Sequence, residues 1–137
     1  MTREVVTVGS QETFSAAMAL IARRGCHHLI VVNSDGKLVG VVSEQDLFNA
    51  FTRTPDWRNC EISQVMTSSP STVTPETPLF VVVSKVLSKR YNSFPVIDAD
   101  GAVAGILSST DLLRAYQKMV DLLQRQLIEV SMIEFSL

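Results

Sequence analysis

Apolar residues fall into two kinds of run along this chain, and the kinds follow one another in a fixed order. Short runs rich in β-branched residues occur at Val5–Val8 and Ser71–Thr74 and predict strands. Longer stretches, Glu12–Arg24 and Glu76–Arg90, carry apolar residues three and four apart. These are Phe14, Ala17, Met18 and Ile21 in the first, and Phe80, Val83, Val86 and Leu87 in the second. That period predicts helices with one buried face. Pro75 and Pro78 stand at the start of the second helix, where a missing N–H costs little. His28–Asn33 and Ser93–Asp98 are apolar runs of strand length. Each leads into Asp-Gly, at Asp35-Gly36 and Asp100-Gly101, a strong hairpin signal. The return strands are predicted at Leu38–Val42 and Ala102–Leu107. Each ends in Ser-x-x-Asp-Leu and a second helical stretch.

The order is the sign of an internal repeat. Sliding the sequence by 65 positions lays Met1–Phe51 over Met66–Tyr116 without a gap. Identities concentrate at turn and cap residues: Asp35/Asp100, Gly36/Gly101, Gly40/Gly105, Ser43/Ser108 and Asp46/Asp111. The pattern predicts an α+β fold, β-α-β-β-α twice, at residues 1–52 and 66–117. A linker over 53–65 joins the repeats, with a short helix expected at Glu61–Val65. Residues 118–137 form a C-terminal helical extension. One repeat of this size would bury only about 60% of its unfolded surface, so the two are expected to pack on each other.

Composition narrows the function. The 137 residues include 12 Lys+Arg against 14 Asp+Glu, a net charge of −2, with 46% hydrophobic and 19% charged residues. A disordered chain would be less apolar. A nucleic-acid binder would need a basic face, so no nucleic-acid partner is expected. No run of about 18 apolar residues is present and no signal peptide is visible, which predicts a cytoplasmic protein without a membrane span. Cys26 and Cys60 read as reduced thiols rather than a disulfide framework.

The motifs resemble a tandem pair of CBS (cystathionine β-synthase) domains, a Bateman module. The matching pieces of the second repeat are Val65-Met66-Thr67, Phe94-Pro95-Val96-Ile97-Asp98, Asp100-Gly101 and Gly105-Ile106-Leu107-Ser108-Ser109-Thr110-Asp111-Leu112. The first repeat supplies Met1-Thr2, His28-Leu29-Ile30-Val31-Val32-Asn33, Asp35-Gly36 and Gly40-Val41-Val42-Ser43-Glu44-Gln45-Asp46-Leu47. Ile30 stands where the family usually has proline, and Asn33 where it usually has an acid. The resemblance implies a pseudo-twofold pair with two clefts between the repeats. Such clefts commonly take AMP, ADP, ATP, S-adenosylmethionine or similar ligands, and the module regulates an attached or partner protein, often as a homodimer. No cofactor beyond a regulatory adenosine nucleotide is implied. The first repeat opens directly on its Met-Thr element, which implies a shortened adenine wall in one pocket.

Ser43-x-x-Asp46 and Ser108-x-x-Asp111 have two readings on the residues alone. One is a capping box, in which serine and acid satisfy each other's backbone amides. The other uses the helix N-terminus and the serine hydroxyl for phosphate and the aspartate for ribose hydroxyls. Both readings can hold in different ligation states, and the resemblance favours Asp46 and Asp111 as ribose residues. It also implies that each site draws its adenine cradle from the other repeat. Ser108 and Asp111 would face Val6, Cys26 and His27. Ser43 and Asp46 would face Met66, Ser71, Tyr91 and Asn92. Gly40 and Gly105 would let backbone approach closely.

His27 and His28 are the candidate phosphate cations of the first repeat, acting as they charge near pH 6.5. Adjacent strand residues point to opposite faces, and Cys26 with His28 makes only two ligands, so no metal site is expected. In the second repeat the nearest cations in sequence are Lys89 and Arg90. Those two, with Arg23 and Arg24, also read as ordinary helix-end charges. No paired carboxylates, Gly-rich phosphate loop or nucleophile–base pattern appears, so the chain reads as no enzyme. Trp57 reads as packing over the module.

The last helix carries Tyr116, Val120, Leu123, Leu127 and Val130 at heptad-like spacing. They predict either a helix packed on its own module or a signalling helix leading to an effector. The apolar end, Ser131–Leu137, predicts cover at an interface or continuation into a longer protein. A rival to ligand sensing is a ligand-free dimerisation or scaffold module.

Overall fold

The structure, a computed structural model, describes residues 4–89 and 93–126. The elements run β1 (Thr7–Gly9), α1 (Phe14–Arg24), β2 (His28–Val32), β3 (Leu38–Ser43), α2 (Glu44–Arg53), a single 3-10 turn (Trp57–Asn59) and α3 (Ile62–Val65). They continue through β4 (Thr67–Ser68), α4 (Leu79–Lys89), β5 (Ser93–Ile97), β6 (Val103–Ser108) and α5 (Ser109–Gln126). The architecture is the mixed α+β fold expected from the repeat.

The repeat is exact at the level of strand register. His28 lies opposite Ser43 and Val31 opposite Gly40; Ser93 lies opposite Ser108 and Val96 opposite Gly105. Even the irregularity recurs, between Val31 and Val32 and between Val96 and Ile97. The hairpin turns explain why. Asn33 Oδ1 accepts from the amides of Asp35 and Lys37, and Asp98 Oδ1 from those of Asp100 and Ala102, all at 3.0 Å. One side-chain oxygen does the whole task, so Asn33 serves as well as an acid. Gly36 and Gly101 take the positive φ the turn demands, 76° and 83°.

The second departure has a larger effect. The Ile30 amide donates to the Val6 carbonyl at 2.9 Å, and β1 runs parallel to β2 over three pairs. At the matching position Pro95 has no N–H to offer Ser71. There the strand is reduced to the single bridge Val73–Val96. The first sheet therefore has the order β1-β2-β3-β4, whereas β5 and β6 form a two-stranded sheet.

Strands β2, β3 and β6 bury residues on both faces, which explains their unbroken apolar runs. Leu29, Val31 and Val42 pack with Phe14, Ala17, Ile21 and Leu47 in the first repeat's core. Phe94 and Val96 pack with Val82 and Leu112 in the second. On the opposite faces Ile30 and Val41 meet Ile106 of the other repeat.

Local chemistry sets the helix starts. The Thr13 hydroxyl accepts from the Ala16 amide, so α1 begins at Phe14 rather than Glu12. A Thr74–Thr77 turn occupies the chain before Pro78, so α4 begins at Leu79 rather than Glu76. The linker is stitched down rather than loose. Amides of Ile62 and Ser63 donate to carbonyls of Glu12 and Ser10, Ile62 is fully buried, and Trp57 contacts the rings of Phe14 and Phe51.

Gly40 is needed for backbone approach, but what approaches is β4. A Cβ there would stand 2.9 Å from the Thr67 carbonyl oxygen and collide with the Met66 sulfur. Backbone cannot yield as a flexible side chain can, so Gly40→Ala is expected to destabilise the fold by about 1–3 kcal/mol. Urea denaturation checks this, and an unchanged midpoint would show that β4 is free to move.

Candidate functional site

The first-repeat hairpin and the β6–α5 junction meet around a cavity of about 510 Å³. Val6, Cys26, His27 and His28 line it from one repeat, Ser108 and Asp111 from the other. Gly25 ends α1 in the left-handed conformation at φ 62° and turns the chain so that Cys26–His28 enter β2 at this wall. On the other wall β6 ends at Ser108 and α5 starts at Ser109. The cavity is therefore built at strand ends and a helix start, as its residues require.

Both Ser-x-x-Asp pairs form capping boxes. Ser43 N–H donates to Asp46 Oδ2 at 2.9 Å, and Asp46 N–H to Ser43 Oγ at 3.0 Å. Ser108 N–H and Oγ donate to Asp111 Oδ2 at 2.9 and 3.1 Å, and Asp111 N–H returns to Ser108 Oγ at 3.2 Å. A carboxylate has about four acceptor sites, so capping does not exhaust it for ribose. At α2 the Glu44 amide is also taken, by the His27 carbonyl at 2.9 Å. Fewer α2 amides are thus available to an anion than the sequence pattern suggests.

The two histidines differ. His27 is exposed and its Nδ1 lies 2.9 Å from Glu44 Oε2. His28 is half-buried at the start of β2. Burial holds its imidazole below the ordinary 6.5, and His27 adds to this, while Asp46, Asp111 and Glu44 pull the other way. Charging of His28 is therefore displaced to lower pH than the sequence alone suggests.

The residues expected at the other cleft are placed differently. Ser43 lines a second cavity, of about 490 Å³, together with His27, His28, Glu44, Gln45 and Phe48. The lining of that cavity does not include Asp46, Met66 or Ser71. Met66 packs against the first repeat's core, and Ser71 Oγ is 3.4 Å from Lys85 Nζ. Tyr91, Asn92 and Arg90 lie outside the described residues. Lys85 of α4, which no sequence motif marks, is a cation that reaches Ser71.

Arg114, which no sequence motif marks, and Arg24, which reads from the sequence as a helix-end charge, both line the first cavity. The available signal was spacing: Arg114 follows Asp111 by three, which puts both on one face of α5. Among the described residues no group of three or more His, Cys, Asp or Glu side chains is placed to hold a metal. No helix there is long and apolar enough to cross a membrane.

Comparison with known proteins agrees with this geometry. The CBS domain profile matches residues 1–53 and 62–118. A homoserine O-acetyltransferase from Methanohalobium evestigatum is 28% identical over 118 residues, 86% of this chain but 23% of the relative. The chain thus spans under a quarter of the length of the first curated relatives it matches. The solved CBS domain pair of protein MJ0100, in complex with 5′-methylthioadenosine and S-adenosyl-L-methionine, superposes with a TM-score of 0.73 at 25% identity. The match covers 84% of this chain and 93% of that one. CBSX2 in complex with AMP, a protein of Arabidopsis thaliana, gives 0.69 at 28% identity, covering 88% and 94%.

The half-buried histidine has a consequence for stability. The folded chain resists a proton that the unfolded chain accepts near pH 6.5, so the unfolded state binds more protons there. Stability then falls as pH drops below about 6.5. His28→Gln is expected to flatten this part of the curve, read from urea titrations between about pH 7 and pH 5. An unaltered slope would place the acid sensitivity elsewhere.

Proposed function

This chain belongs to the CBS-domain family, and from that premise we propose that it is a regulatory module that binds an adenosine nucleotide between its repeats. The observation that carries this reading is the cavity where Val6, Cys26 and His28 of one repeat face Ser108 and Asp111 of the other. Asp111 takes the ribose hydroxyls, Ser108 and the histidines meet the phosphate, and Val6 and Cys26 cradle the adenine. For the other cleft the same roles go to Asp46 for ribose and Ser43 for phosphate, with Tyr91 and Asn92 in the cradle; Met66 and Ser71, expected beside them, lie outside the cavity that Ser43 lines. The adenosine compounds in the MJ0100 and CBSX2 complexes support the ligand class. Ligand binding at the repeat interface alters how the repeats sit together, and the change passes to an attached or partner protein reached from the C-terminal helix.

The first cavity is the stronger site, because cations line it and a phosphate buried without a cation is costly. Asp111→Ala is expected to weaken AMP binding at least tenfold, about 1.4 kcal/mol, and Asp46→Ala less. Calorimetry on both variants checks the ranking, and a larger loss for Asp46→Ala reverses it. In a thermal-shift screen, a ligand at about 100 times its Kd stabilises by about 2.7 kcal/mol. No shift with any adenosine compound at millimolar concentration would favour the scaffold reading instead.

The scaffold reading draws on exposed apolar helix faces, which also support a homodimer. Phe80 and Leu87 of α4 are 73% and 79% exposed, and Leu113 and Tyr116 of α5 are 68% and 55% exposed. Of the heptad-like seam, Tyr116 and Leu123 are exposed and Val120 is half-buried; Leu127 and Val130 lie outside the described residues. These helices touch each other, and their exposed apolar residues suit a second copy. Light scattering is expected to give a dimer that Leu87→Glu with Leu113→Glu dissociates. A stable wild-type monomer at micromolar concentration would remove the homodimer.

A further inference from the structure

Two guanidinium groups converge on the first cavity from opposite repeats. Arg24 is the last residue of α1, and Arg114 lies one turn beyond Asp111 on α5. Both are exposed, and among the described residues neither has a hydrogen bond or an ion pair. Of the carboxylates on the same cavity, Asp111 is engaged in the cap of α5 and Glu4 is exposed.

A helix dipole explains a cation at the end of α1. It does not explain one at Arg114, the sixth residue of α5, where the dipole gives a cation no benefit. Side chains on a helix lean towards its N-terminus, so Arg114 leans back towards the turn that carries Ser108 and Asp111. Arg24 faces the same space across the cleft. Two planar donors on opposite walls suit an anion with several oxygens. The same two charges repel a sulfonium and gain nothing from a neutral thioether.

We propose that Arg24 and Arg114 form a two-sided phosphate clamp, and that the cavity selects phosphorylated adenosine over sulfonium or thioether adenosine compounds. The proposal rests on the adenosine-binding reading and adds the ligand's charge class to it. It divides the ligand between two kinds of group: Asp111 holds the sugar, which all these compounds share, and the arginines hold the part that differs.

Calorimetry at about pH 8, where ordinary histidines are neutral, isolates the arginines. AMP, 5′-methylthioadenosine and S-adenosylmethionine are titrated into the wild type, Arg24→Gln and Arg114→Gln, with thermal melts to verify folding. AMP is expected to bind the wild type at least about tenfold more tightly than either of the others. Each variant is expected to lose about tenfold for AMP and to keep its affinity for 5′-methylthioadenosine. S-adenosylmethionine or 5′-methylthioadenosine binding as tightly as AMP, or folded variants that bind AMP like the wild type, would overturn the clamp and leave the adenosine reading standing. Failure of all three compounds to bind the wild type at millimolar concentration would overturn the adenosine reading and the clamp with it.

Discussion

Ile30, Val41 and Ile106 close an apolar surface between the repeats that neither repeat covers alone. Each repeat's helices cover one face of its strands, and a repeat of this size has nothing left for the other face. Packing the sheets on each other removes both exposed faces from water together. The same contact aligns the start of β2 with the end of β6. The residues just beyond the apolar patch, Cys26–His28 on one side and Ser108–Asp111 on the other, then face each other across open space. The cavity is thus a by-product of the hydrophobic interface. Any change in how Ile30 and Ile106 meet alters the cavity's walls.

The repeats are alike where hydrogen bonds are local and differ where they are not. Hairpin turns and capping boxes recur with the same partners 65 residues apart. The contrast between Ile30 and Pro95 breaks this likeness through one amide. Where the N–H exists, β1 is a full strand; where it does not, one bridge remains. Val6 and Ser71 therefore sit on backbones held to different degrees. Gly40 adds a further constraint, since the space above it is filled by Met66 and Thr67 of β4. The two clefts cannot be chemical equivalents, although the sequence that builds them is repeated.

Two carboxylates line the first cavity among the described residues: Asp111 answers the cap of α5, and Glu4 is exposed. Burial keeps His28 towards its neutral form. The arginines remain as the permanent cations on the walls. This arrangement suits a site that waits for an anion.

The repeat, its offset, both hairpins, the order of elements and the two Ser-x-x-Asp motifs are legible in the sequence, which leaves capping and ligand binding as alternative readings of those motifs. Each of these depends on residues within a few positions of one another, or on a period that a linear reading can count. Trp57 reads from the sequence as packing over the module, and the structure puts it on Phe14 and Phe51 of the first repeat. Packing sets what comes together across space. It brings Arg24 and Arg114 to one cavity, Lys85 to Ser71, and Met66 against Gly40 instead of beside Ser43's cavity. It also presses His28 into a half-buried position that lowers its proton affinity. Long side chains pivot about their backbones and desolvation depends on every neighbour, so these outcomes follow from packing and have no signature in local spacing.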